Sequence, residues 1–188
     1  QGMRKAGIAV DQKLQSIGLR AEALDPSSTI HPSLEWDVLK VIGQDVAPEK
    51  GLFIGQHYAL AGYGPLLMLL VTSENVRTAL GQGIKYQALT HLTGTLSLKY
   101  TAHKVALCYE PQDLNSDLGL LRAQCEISGT SKFIQDLYKM MGLSIPQIHI
   151  ELPFSRPQNQ DFLNTYHGYY GAALRFGSKC AEFWFADA

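Results

Sequence analysis

At Thr95 the hydrophobic period of this chain changes, and that change limits what it can fold into. Upstream, apolar residues recur at intervals of three and four: Val10, Leu14 and Ile17, then Leu34, Val38, Val41 and Ile42, then Val76, Leu80 and Ile84. Such spacing puts each set on one face of a helix. Over Thr95–Tyr100 apolar and polar residues alternate instead, and Val105–Tyr109 follows after Ala102-His103-Lys104, which is the pattern of a hairpin. Helical spacing returns over Asp113–Met141, with Leu120, Ile127, Ile134 and Met141 at heptad intervals and Gly129 as a point of interruption. It then gives way to Ile148, Ile150 and Leu152 on one strand face, with His149 and Glu151 on the other.

The remaining segments fill in around this change. Met3–Ile17 reads as one helix ended by Gly18, and Asp25-Pro26-Ser27-Ser28 as a turn. His31-Pro32-Ser33 leads into a helix over Leu34–Val46, and Gly51–Gln56 reads as a short apolar helical piece. Pro65–Thr72, apolar on every side, reads as a buried helix, since Pro65 suits a first helical position. Ser73 is the predicted cap of a helix over Glu74–Leu89, and Gly62-Tyr63-Gly64 reads as a turn. A helix over Gln158–Tyr166 precedes a closing hairpin that pairs Ala172–Phe176 with Cys180–Phe185. Local strand pairs separated by helices predict an α+β fold: a mainly antiparallel sheet of about five strands packed with several helices. A length of 188 residues suits a single domain over 1–188, with Gln1-Gly2 ahead of Met3 read as a cloning remnant.

Charge and composition exclude several functions. With 16 basic and 17 acidic residues the net charge is -1, so this segment is not expected to hold DNA by itself. The longest apolar run, Pro65–Val71, is too short to cross a bilayer, and no signal-peptide pattern opens the chain. Cys108, Cys125 and Cys180 are odd in number, widely spaced and without a C-x-x-C pair, which predicts small buried hydrophobes in a cytoplasmic protein.

Signatures of catalysis are scarce. The chain has no G-x-S-x-G elbow, Walker A loop or H-E-x-x-H. His149 and Glu151 share a strand face, but no second cluster completes a metal site, so neither metal nor cofactor is expected. Arg122 and Arg175 sit in apolar stretches: the first must be paired or reach solvent, and the second alternates onto a solvated strand face. His57-Tyr58 and Tyr166-His167 set an imidazole beside a phenol, and aromatics crowd the end of the chain from Phe154 to Phe185.

Several stretches together resemble the N-terminal ligand-binding domain of AraC-type transcription regulators, in the branch of ornithine-utilisation and virulence regulators. Gly18-Leu19, Ala23-Leu24-Asp25-Pro26-Ser27 and Ile30 come first, then Gly51-Leu52-Phe53-Ile54-Gly55 and Gly64. Thr72–Leu80 matches the family's helix start, and Pro146, Pro153, Tyr166, Tyr170-Gly171 and Phe176 follow in its closing order. The resemblance spans Gly18 to Phe185; it departs where Leu67 replaces a second glycine after Gly64 and where Asn75 replaces a threonine.

What the resemblance implies is an effector-binding and dimerising domain, with DNA contacted only through a C-terminal helix-turn-helix part absent from this chain. The sugar-binding member that names the family has a different, cupin-like sensor, so neither its ligand nor its fold is expected here. From aromatic and polar clustering, the expected effector contacts are His57, Tyr58, Tyr86, Tyr166, Tyr170 and Trp184. Leu120, Ile127, Ile134 and Met141 form either a core stripe or the face of a homodimer. The expected partners are a small-molecule effector and a second copy, with no membrane. Two other classes remain open: a small cytoplasmic hydrolase using Cys108 or Cys180 with a histidine, and a ligand-free dimerisation module.

Overall fold

The computed structural model describes residues 2–20, 31–171 and 173–186. The Asp25–Ser28 turn and Ala172 lie outside the described residues. In chain order the helices are α1 (Gly2–Lys5), α2 (Val10–Gln15), α3 (Pro32–Gly43), α4 (Lys50–Gly55), α5 (Gly64–Val71), α6 (Val76–Lys85), α7 (Asp117–Met140) and α8 (Gln160–Tyr170). The strands are β1 (Thr95–Tyr100), β2 (Lys104–Glu110), β3 (His149–Leu152), β4 (Leu174–Phe176) and β5 (Ala181–Ala186). Contacts gather into two compact units: Gln1–His57 with Asp113–Ser128, and Tyr58–Gln112 with Gly129–Ala188.

The first unit is helical. The expected helix over Met3–Ile17 is two helices, because Gly7 takes φ of 77° and turns the chain between α1 and α2. Lys13 from α2 donates to the carbonyls of Gln44 at 2.6 Å and Val41 at 3.2 Å, where α3 leaves its last oxygens unpaired. At the other end of α3, Pro32 takes the first turn and the His31 ring accepts from the Ser33 N–H. Helix α4 lies against the first half of α7, and a Cβ on Gly51 would come within 2.5 Å of the Leu121 carbonyl and of the Gln124 side chain. That close approach lets the buried Ser128 hydroxyl donate to the Leu52 carbonyl at 2.5 Å. Arg122 is paired as its apolar setting requires, with Glu126 at 2.7 Å and Glu35 at 2.9 Å.

The second unit carries a five-stranded sheet in the order β1-β2-β5-β3-β4. β1 and β2 form the predicted hairpin, with Leu96 opposite Tyr109 and Leu98 opposite Leu107. The closing hairpin does not form, because β3 lies between β4 and β5, parallel to the first and antiparallel to the second. The Gly-Ser-Lys turn therefore passes over the end of β3 instead of folding β4 onto β5. Gly177, at φ of 83°, donates its N–H to the Phe154 carbonyl at 2.9 Å, and Ser178 donates to Leu152 at 3.1 Å. The order β3-α8-β4 is one βαβ unit in an otherwise antiparallel sheet, so the fold is α+β as expected.

Helix ends follow local chemistry. Helix α6 is capped by Asn75, whose Oδ1 accepts from the Thr78 N–H at 2.9 Å. Ser73, the expected cap, donates back to the Leu69 carbonyl at 2.9 Å and so closes α5. α6 stops at Lys85, and a 3-10 turn covers Gln87–Leu89. Gly129 does not interrupt α7; it admits the Tyr58 ring, which a Cβ there would meet at 2.3 Å.

Adding that Cβ forces Tyr58 off its seat, so Gly129→Ala is expected to lower stability by about 1–3 kcal/mol. Gly168, in α8, has open space around its Cβ position, and Gly168→Ala is expected to stabilise by up to about 1 kcal/mol. Urea melts of the two variants check this, and equal effects would contradict the packing described.

Candidate functional site

Alternation sorts the sheet of the second unit into two chemically distinct faces. Leu98, Leu107, Phe183, Ile150 and Leu174 form one cross-strand row on the apolar face. Ser97, Cys108, Glu182, Glu151 and Arg175 form the corresponding row on the polar face. Each face borders a group of described residues with chemistry to offer.

On the apolar side lies a cavity of about 210 Å³. Its floor is the sheet, through Leu96, Leu107 and Phe185. One wall comes from α5 and α6, through Leu66, Leu70, Val76, Ala79 and Leu80, and the other from the second half of α7, through Phe133, Ile134 and Leu137. Tyr63 closes one side, with its ring 4.2 Å from that of Phe133. Polar groups are few: the phenols of Tyr63 and Tyr138, with Ser73, Glu74, Asn75, Thr90 and Thr130. Ser73, Asn75 and Thr90 have side-chain oxygens bonded to nearby backbone. Among the described residues the lining holds no lysine, arginine or histidine, and its acid, Glu74, is exposed. Partial burial pushes the Tyr138 phenol up from its ordinary pKa, so it is a neutral hydroxyl near pH 7.

On the polar side Glu182 is buried yet charged-partnered. Lys99 donates to its two oxygens at 3.0 and 3.3 Å, and the Trp184 indole N–H donates to Oε2 at 2.8 Å. Cys180 Sγ lies 3.8 Å from Oε1. Burial, reinforced by Cys108 and Glu182, pushes the Cys180 thiol up to about 12, and burial also raises Cys108. Both are protonated thiols at neutral pH. His149 pairs with Glu151 at 3.2 Å on this same face.

None of the six residues expected to contact an effector lines the cavity. His57 belongs to the first unit, where its ring lies 4.7 Å from that of Phe53. Tyr58 meets His91 edge to face at 4.7 Å, and His91 in turn lies 5.1 Å from Tyr63. Tyr166 and Tyr170 are buried beneath α8, with Tyr166 5.6 Å from Phe176. Trp184 stands on the polar face with Glu182, and the exposed Tyr86 side chain lies beneath the Lys85 ammonium. Of the heptad stripe, Ile127 and Ile134 are buried in the core, while Met141 is exposed. Ile134 and Met141 both line the cavity. The wall residues missed from sequence are ordinary leucines and alanines, whose only signal was the helical period of Val76 and Leu80.

Over residues 7–188 the chain matches the family model for the N-terminal arabinose-binding domain of AraC transcription regulators, and it belongs to that family. The crystal structure of the transcriptional regulator CdpR from Pseudomonas aeruginosa is similar over 100% of this chain and 55% of its own, with a TM-score of 0.66 and 16% identity. That likeness is one of fold, and this chain spans about half the length of that regulator. No curated protein matches the chain. No helix among the described residues is long and apolar enough to cross a membrane.

The raised thiols lead to a measurable contrast with a hydrolase. At pH 8 the thiolate fraction of Cys180 is small, so alkylation of the folded chain at this position is expected to be at least about tenfold slower than that of a free thiol. The rate should climb as pH approaches 12. A fast thiol titrating near neutral pH at Cys108 or Cys180 would instead favour nucleophilic chemistry.

Proposed function

We propose that this chain is the effector-sensing part of an AraC-type regulator, and that its effector is a compact, mainly apolar, uncharged molecule held in the cavity of the second unit. The observation that carries the reading is the chemistry of that cavity. Apolar side chains make most of the wall, and three of its few polar groups, Ser73, Asn75 and Thr90, are bonded to nearby backbone. A pentose presents a hydroxyl on nearly every carbon, and burying those groups without partners costs several kcal/mol in sum. A carboxylate would find no cation in the lining and would meet Glu74. A ligand with an apolar body and one neutral polar end fits, with the Tyr138 hydroxyl as its hydrogen-bond partner.

The response follows from what the walls are. Helices α5, α6 and α7 reach the ligand directly, so a bound effector favours the arrangement of these helices that contacts it best. It shifts the regulator only by as much as it prefers that arrangement. DNA binding is assigned to a part outside this chain, in keeping with the net charge of -1, and the regulator to the cytoplasm. The raised thiols support a role without catalysis.

A thermal-shift panel of neutral aliphatic and aromatic ligands, carboxylates and pentoses tests this. The expected result is a rise in melting temperature for the neutral apolar compounds alone. Ala79→Trp, which fills the cavity from α6, should weaken that response at least tenfold while the chain still melts cooperatively. A shift with pentoses, or a response indifferent to Ala79→Trp, would overturn the reading.

A further inference from the structure

The polar face of the sheet holds a second site unrelated to the cavity. We propose that Cys108, Cys180 and Glu182 bind a thiophilic divalent cation of the zinc class. Their donor atoms, two sulfurs and a carboxylate oxygen, lie within 4.8 Å of one another. Around a tetrahedral zinc, with bonds of about 2.3 Å to sulfur and 2.0–2.2 Å to oxygen, donors stand about 3.3–3.8 Å apart. Cys180 Sγ and Glu182 Oε1 already have that separation, at 3.8 Å. What remains is a contraction of at most about 1 Å towards Cys108, and Cys180 can supply it, because it sits in the turn before β5 rather than in the sheet.

The surroundings of the three donors are those of a built site. Glu182 Oε2 accepts from the Trp184 N–H, and Oε1, which also accepts from Lys99 at 3.0 Å, lies 3.8 Å from the Cys180 sulfur. That is the outer-shell orientation which ligating carboxylates need. Ser97 stands opposite Cys108 on β1, on the same face of the sheet. When the cation binds, each thiol releases its proton to solvent, and two thiolates with one carboxylate leave the zinc complex with one negative charge. Lys99, whose ammonium already contacts Glu182, neutralises it. Cys180 is half-exposed, so water reaches the fourth position.

A disulfide is the competing use of two neighbouring cysteines. Cys108 stands opposite Glu182 on β5, and Cys180 lies in the turn just before that strand; both are free thiols here.

Cobalt(II) titration of the reduced 188-residue chain, followed by zinc competition against a chelator, tests the proposal. The expected result is a sulfur-to-cobalt charge-transfer band saturating at one ion per chain and displaced by zinc. Cys180→Ser and Glu182→Gln should each weaken zinc binding at least tenfold, with cooperative melting retained as the check on folding. Cys125→Ser should leave the band unchanged. The proposal fails if no such band appears, if the band survives Cys180→Ser, or if it depends on Cys125. It fails equally if the reduced chain takes up no metal while air oxidation consumes two of the three thiols.

Discussion

The rest of the structure depends on burying the middle of one helix. From Leu121 to Ser131, α7 has ten buried residues, and the remaining one, Arg122, keeps little of its side chain in solvent. A helix surrounded in this way must dispose of every polar group it carries. Glu126 does so through Arg122, and Ser128 through the Leu52 carbonyl. Glycines supply the clearance: Gly51 lets α4 approach the first half of α7, and Gly129 seats Tyr58 on the second. The first half of the helix is the core of one compact unit, and the second half is a wall of the cavity in the other.

Cavity and sheet together account for the division of labour on the two sheet faces. A half-buried antiparallel sheet keeps apolar residues on one side and polar residues on the other. Here the apolar side is incompletely filled, which leaves a space where neighbouring walls contribute leucine, isoleucine and phenylalanine. The polar side concentrates one buried carboxylate and two thiols around a single indole and a single lysine. Arabinose-binding is the name the family carries, yet the cavity's chemistry is that of an apolar host.

Much of the fold was legible because its signals were local. Periodicity located β1, β2 and the run of α7, Pro65 ahead of an all-apolar run located α5, and Arg122, expected to be paired or to reach solvent, is paired. The misreadings arose where structure depends on distant segments. Nothing near Gly177 tells that β3 will separate β4 from β5, because the strand that intervenes lies more than twenty residues upstream. The single N-terminal helix gives way at Gly7, whose positive φ turns the chain. The residues expected to contact an effector came from aromatic-polar pairs, which stand out in a sequence, and none of them lines the cavity. A cavity is a missing volume between ordinary side chains, and no residue type marks it. The Cys108–Cys180–Glu182 cluster was hidden for a related reason: its members meet only through the β2–β5 register.

The central claim is that effector binds between α5, α6, α7 and the apolar sheet face. Methyl NMR of the chain with a bound neutral apolar ligand tests it most directly, since Leu66, Leu80, Ile134 and Leu137 line the space and carry resolvable methyls. The account predicts intermolecular contacts to those methyls, with Leu52 and Ile54 of the first unit unaffected. Ligand contacts confined to Leu163, beside Tyr166 and Tyr170 on α8, or to the first unit, with the cavity methyls silent, would contradict it.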